Sequence, residues 1–123
     1  MQKQDKKVLA AVDDLLFTVK INDAAKRAGL AAEFVKSEKD ILDKAKERPR
    51  LIILDLNASS VKPLSVIAAL KSDAETKSIS LIAYLSHIQG ELKQQAHDAG
   101  ADMVMARSAF SQNLLQILKR HAG

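Results

Sequence analysis

The stretch Leu51-Ile52-Ile53-Leu54-Asp55-Leu56-Asn57 decides how the chain is read. Four consecutive apolar residues describe a strand buried on both faces, as a central strand of a parallel sheet must be when helices cover each side. The run stops at a carboxylate. A charge belongs at the tip of such a strand, and in open α/β sheets the carboxyl ends of the strands are where ligands bind.

Outward from this strand the hydrophobic period alternates between the two regular structures. Lys7 to Val12 reads as a first buried strand that stops at Asp13-Asp14. From Leu15 to Ala28, Phe17, Ile21, Ala24, Ala25 and Ala28 fall on one helical face, and Gly29 ends the helix. Ala31 to Val35 is a shorter, less apolar strand suited to a sheet edge. Ser37-Glu38-Lys39-Asp40 has the spacing of a capping box for a second helix that Pro49 closes. After the opening strand, Pro63 begins a third helix, and Lys71 to Ser78 is read as loop.

Ile79 to Leu85 is a fourth strand, and Ser86 with Gln89 has capping-box spacing for a fourth helix ending at Gly100. Asp102 to Ala106 is a fifth strand, Arg107 to Phe110 a loop, and Leu114, Ile117, Leu118 and His121 lie on a last amphipathic helix. Five strands alternating with five helices through short connections give a (βα)5, doubly wound parallel α/β sheet.

Composition bounds the function. The chain has 123 residues, so residues 1–123 are read as one domain. A hydrophobic fraction of 47% and a charged fraction of 28% are those of an ordinary globular protein. No apolar run approaches the roughly 20 residues that span a bilayer, and the start is too weakly apolar for a signal peptide. With no cysteine there is neither disulfide nor thiolate chemistry, and a cytoplasmic location is expected. The net charge of +4 comes from 19 basic residues scattered among 15 acidic ones. The aromatics that would stack on bases are Tyr84 and three phenylalanines, which argues against a nucleic-acid partner.

If the first and third strands are neighbours, Asp13, Asp14 and Asp55 meet at one sheet edge. Crowded carboxylates repel one another unless a cation sits among them, and a hard ion such as magnesium prefers oxygen ligands. An ionised Asp beside such an ion is a nucleophile suited to phosphorus. Arg107, at the tip of the fifth strand, could neutralise charge there. The same carboxylates also suit helix capping, since Asp14 precedes a helix whose N-terminus favours negative charge. Both readings stand at this level. His87, His97 and His121 lack metal-ligand spacing, and Met103 and Met105 read as core filling. No Gly-rich phosphate loop follows the first strand, which disfavours a nucleotide-binding enzyme of the same architecture.

From Lys7 to the last helix the pattern resembles the receiver domain of bacterial two-component response regulators, the family of the chemotaxis response regulator. Asp13-Asp14 match its acidic pair, Asp55 its phospho-acceptor, and Asn57 the residue whose backbone carbonyl helps hold the metal. Ala99-Gly100-Ala101-Asp102 matches its turn into strand five. The resemblance implies a flavodoxin-like fold with strand order 2-1-3-4-5, bound Mg2+, a histidine kinase or histidine phosphotransfer partner, and no enzyme activity. It also implies contacts, including a homodimer contact, through helix four, strand five and helix five.

Several positions depart from the family. Arg107 stands where the family has lysine, and its longer, forked guanidinium could clamp Asp55 in the place of phosphate. Leu85 stands where the family has the threonine or serine that reads the phosphoryl group, leaving Ser86 as the adjacent hydroxyl. Ser108 replaces a proline, so the cis peptide of the family has no counterpart, and Val104 replaces its aromatic switch residue. The resemblance therefore implies a stand-alone receiver-like protein in phosphorelay signal transduction. The alternative is a pseudo-receiver acting as a phosphorylation-independent interaction module.

Overall fold

A computed structural model describes residues 6–59, 61–86 and 90–122. Its elements are β1 (Lys7–Ala11), α1 (Leu15–Arg27), β2 (Ala31–Phe34), α2 (Glu38–Ala45) and β3 (Leu51–Asp55), followed by α3 (Pro63–Ser72), β4 (Leu81–Leu85), α4 (Gly90–Ala99), β5 (Met103–Ala106) and α5 (Arg107–Ala122). The strands form one sheet in the order β2-β1-β3-β4-β5, every neighbour parallel. This is the flavodoxin-like (βα)5 architecture and strand order expected. No described helix is long and apolar enough to cross a membrane.

Side-chain alternation along the strands divides the core into two layers. Val8, Ala10, Leu51, Ile53, Ile82 and Tyr84 face Phe17 and Ile21 of α1 and Phe110, Leu114 and Leu118 of α5. The intervening residues Leu9, Ala11, Ile52, Leu54, Ala83 and Leu85 face the other way. There they meet Ile41 of α2, Ile67 and Leu70 of α3, and Ala96 of α4. All of β3 and β4 is buried, which is why their sequences read as unbroken apolar runs. β2 is a half-buried edge, as expected. Its Glu33 is held by Lys7 and Lys44 at 2.9 and 3.0 Å, and a charged edge resists pairing with a second sheet.

The predicted local signals are present at most boundaries. Ser37 caps α2 by accepting from the Asp40 N–H, Pro63 opens α3, and Asp14 caps α1 by accepting from the Leu16 N–H. The capping pair expected at Ser86 and Gln89 involves Gln89, which with His87 lies outside the described residues.

Three expectations need correction. Residues 107–110 are not a loop: α5 begins at Arg107, directly from the end of β5. With Ser108 in place of proline, nothing forces a turn there, no cis peptide is found among the described residues, and Phe110 is the first residue of the apolar face of α5. α3 continues through Ser72, so the loop begins later than read. Met103 is 42% exposed rather than core filling, because β5 is the other edge of the sheet, while Met105 packs against the α1/α5 layer.

The turn Ala99-Gly100-Ala101-Asp102 carries a strict backbone requirement. Gly100 has φ of +118°, and a Cβ there would lie 2.8 Å from Lys71 Cγ. Lys71 cannot give way freely. Its Nζ bonds Asp102 Oδ2 at 2.8 Å and the Ile79 carbonyl at 2.9 Å, while the same carboxylate oxygen accepts the Leu81 N–H. Gly29, with φ of +80°, has open space around its Cα. Gly29→Ala is therefore expected to cost about 1 kcal/mol of unfolding free energy, the price of left-handed backbone alone. Gly100→Ala should cost about twice that, because the lysine must also move; urea denaturation of both variants measures the difference.

Candidate functional site

β1 and β3 are neighbours, with Ala11 paired to Leu54, so the chain leaves both strands at the same edge. Asp55 follows Ile53 by two residues and therefore faces the α1/α5 layer. Its register partner across β4 is Tyr84. Asp55 is 8% exposed, a rare burial for a carboxylate. The Asn57 N–H donates to its Oδ1 at 2.9 Å, closing an Asx turn, and the Ala58 N–H donates to its carbonyl at 3.0 Å. The backbone N–H of Asp13 also supports the carboxylate.

Each of the other two carboxylates has its own set of donors. Asp13 Oδ2 accepts from the Ser59 N–H at 2.7 Å and from its hydroxyl at 3.2 Å. Asp14 uses Oδ1 to cap α1, at 2.8 Å from the Leu16 nitrogen. Its Oδ2 forms an ion pair with Arg107 Nη2. Arg107 thus turns to Asp14, not to Asp55, and the clamp anticipated on Asp55 is not formed. The guanidinium also lies over the ring of Phe17, its central carbon 4.5 Å from the ring centroid, in cation–π contact.

Phe17 belongs to a buried aromatic stack. Its ring centroid is 5.1 Å from that of Tyr84 and 6.2 Å from that of Phe110, and Tyr84 and Phe110 stack at 4.8 Å. The Tyr84 hydroxyl is buried with no hydrogen-bond partner among the described residues. Burial, then the negative charges of Asp55 and Asp13, push its pKa upward, so it stays protonated.

The two residues considered as readers of the site sit differently from each other. Leu85 is 2% exposed and packs in the α2/α3/α4 layer, as strand alternation requires. Ser86 donates both its N–H and its hydroxyl to Asn57 Oδ1, at 2.7 and 2.9 Å. Asn57 therefore ties the loop after β3 to the loop after β4, while its own N–H holds Asp55. The Ser59 clasp on Asp13 was not anticipated from the sequence. The Phe17 platform was read as core alone, although its position one helical turn from Asp14 was a signal.

The described residues contain no group of three or more His, Cys, Asp or Glu arranged to hold a metal ion. The donor set explains this. Both oxygens of Asp14 are engaged by a backbone N–H and a guanidinium, Asp13 is drawn to Ser59, and Asp55 is turned to backbone donors. In this arrangement the residues do not fit a divalent cation.

Burial raises the pKa of Asp55, the Asn57 N–H partly counters it, and the charge of Asp13 raises it again. A carboxylate whose pKa is higher in the folded than in the unfolded state binds its proton more tightly when folded. Stability then falls as pH rises through the interval between the two values. Above that interval the ionised Asp55 opposes folding. Asp55→Asn is expected to raise the thermal midpoint at pH 7, with a gain that shrinks as pH falls toward 3.8, the ordinary carboxylate value. Circular-dichroism melts across pH read this directly.

Scanned against models of known protein families, the sequence matches none, and no curated protein sequence matches it. Solved structures do. The chemotaxis response regulator CheY4 of Vibrio cholerae superposes with a TM-score of 0.79 at 23% identity, covering 94% of this chain and 97% of that one. The phosphorylated cyanobacterial phytochrome response regulator RcpA gives 0.78 at 23% identity, over 94% and 89% of the two chains. The Mn2+-bound response regulator Rcp1 gives 0.73 at 16% identity, over 94% and 90%. At these identities the likeness is one of fold, and it spans nearly the whole of each chain. The chain has the fold of the receiver domains of response regulators.

Proposed function

We propose that this chain is a receiver-type signalling module of two-component phosphorelay systems, with Asp55 as its phospho-acceptor. The observation that carries this reading is Asp55 itself, a buried carboxylate at the carboxyl end of the central strand, held by the Asn57 N–H and flanked by Asp13. A carboxylate oxygen of Asp55 would attack the phosphorus of a phosphohistidine on a histidine kinase or phosphotransfer protein. The P–N bond breaks as the O–P bond forms, the departing imidazole takes a proton from water, and an acyl phosphate remains on Asp55. The phosphorylated state of RcpA supports the same chemistry on this fold.

Two surfaces support a protein partner. Leu15, Leu16 and Val19, 77%, 58% and 58% exposed, form an apolar patch on the first turns of α1, next to the acid edge. On the other side, a groove of about 480 Å³ between α4 and β5 is lined by Lys93, His97, Asp102 and the exposed Met103. The latter groove suits the contacts through α4, β5 and α5 that the resemblance implies.

A second reading is favoured by the Arg107–Asp14 pair and by Leu85. One carboxylate of the acid edge, Asp14, is paired from within, and the residue at the reading position is buried with no hydroxyl. On this reading the module is a pseudo-receiver that binds its partner without phosphorylation.

Incubation with acetyl phosphate, or with a phosphorylated phosphotransfer protein, should add one phosphoryl group to the intact mass, and Asp55→Asn should abolish the addition. If no addition occurs with any donor while Asp55→Ala retains partner binding, the pseudo-receiver reading holds instead.

A further inference from the structure

The acid edge is occupied by a cation that belongs to the chain. We infer that the Arg107 guanidinium is a built-in counter-ion that takes the place of a divalent cation at Asp14, so that the protein excludes such an ion until Arg107 is withdrawn. This inference rests on the reading of Asp13, Asp14 and Asp55 as the functional edge, but not on whether Asp55 is phosphorylated.

The position of Arg107 in its helix is the first argument. It is the first residue of α5, where the helix dipole is positive and where a cation is disfavoured. α5 has no acidic residue in its first turn to offset it. The compensating charge comes from outside the helix, from Asp14, the N-cap of the other helix in that layer. The pair is therefore a tertiary contact, not a local one.

The second argument is how firmly the guanidinium is seated. Its Nη2 is bonded to Asp14 and its central carbon lies over the Phe17 ring, and Phe17 is packed against Tyr84 and Phe110. The Lys20 ammonium also lies over that ring, 5.8 Å from its centroid, but it donates to Ser111 Oγ, and Arg107 is the cation paired with Asp14. The third argument is the donor set: Asp14 has one oxygen on the guanidinium and the other on the Leu16 N–H. A divalent ion at the edge would have to share these oxygens with the donors already on them. It would also sit against the guanidinium and the positive N-termini of α1 and α5.

The test uses the full chain and Mn2+ alone, read by paramagnetic broadening of backbone amide resonances. The wild-type protein should show no saturable broadening at Asp13, Asp14, Asp55 and Asn57 at millimolar Mn2+. Arg107→Gln and Arg107→Met both remove the charge and keep an aliphatic stem over Phe17. Either one, folded by amide dispersion, should show saturable broadening centred on these residues, with an affinity at least about fivefold tighter than the millimolar limit set by the wild type, the scale of one competing partly exposed ion pair. Lys36→Gln removes a positive charge after β2, at the same sheet edge, and should give no gain.

Saturable Mn2+ binding at these residues in the wild type would overturn the inference, as would folded Arg107 variants that bind no better. An equal gain in Lys36→Gln would overturn it too, because net charge alone would then explain the effect. Mn2+ binding by the wild type leaves Asp55 standing as an acceptor, whereas failure of every phosphoryl donor on both wild type and Arg107→Gln leaves the counter-ion standing.

Discussion

β3 has no face toward water, and most of the molecule follows from that. Leu51 and Ile53 require α1 and α5 on one side, while Ile52 and Leu54 require α2, α3 and α4 on the other. A parallel sheet with right-handed crossovers meets both demands only if the chain reverses winding direction at the centre. That reversal lies between β1 and β3, and it opens the edge where Asp13 and Asp55 emerge side by side. The burial that stabilises the sheet thus also raises the pKa of the carboxylate at its end. Fold and site are the same constraint seen at two places along one strand.

The layer shared by α1 and α5 carries the features that distinguish this chain. Phe17, Tyr84 and Phe110 form a stack that spans helix, sheet and helix, and Arg107 covers its outer ring. Because Phe17 stands one turn after Asp14 and Phe110 one turn after Arg107, the stack fixes the spacing of the two helix N-termini. The ion pair is the polar rim of a packed aromatic core. On the opposite layer, Leu85 is absorbed into packing and contributes no polar group to the edge.

Ser59 and Ser86 show how short hydroxyl side chains organise the loops around the site. Ser59 holds Asp13, and Ser86 holds the side chain of Asn57, whose N–H in turn holds Asp55. The loop after β3 is thereby tied to the ends of β1 and β4. These bonds satisfy the carboxylates without a bound ion, and they do so with groups that a pattern search passes over.

The amino-acid sequence by itself determined the element order, the double burial of β3 and β4, the edge position of β2 and the meeting of Asp13, Asp14 and Asp55 at one edge. Each of these is written in local periodicity, in capping residues or in the order of alternation, and short-range sterics enforce them. Gly100 was legible as the end of α4 for the same reason, while the closeness of Lys71 to its Cα came only from the structure. The start of α5 at Arg107 was not legible in the same way: residues 107–110 read as loop, although Phe110 continues the spacing of Leu114 and Leu118. Only the tertiary structure decided the partner of Arg107. β5 lies at the far edge of the sheet from β2, with β3 and β4 between it and β1, so strand neighbours offer no route from Arg107 to Asp14. The two meet because α1 and α5 cross to the same face, and the charge at one helix start is compensated by the carboxylate at the other.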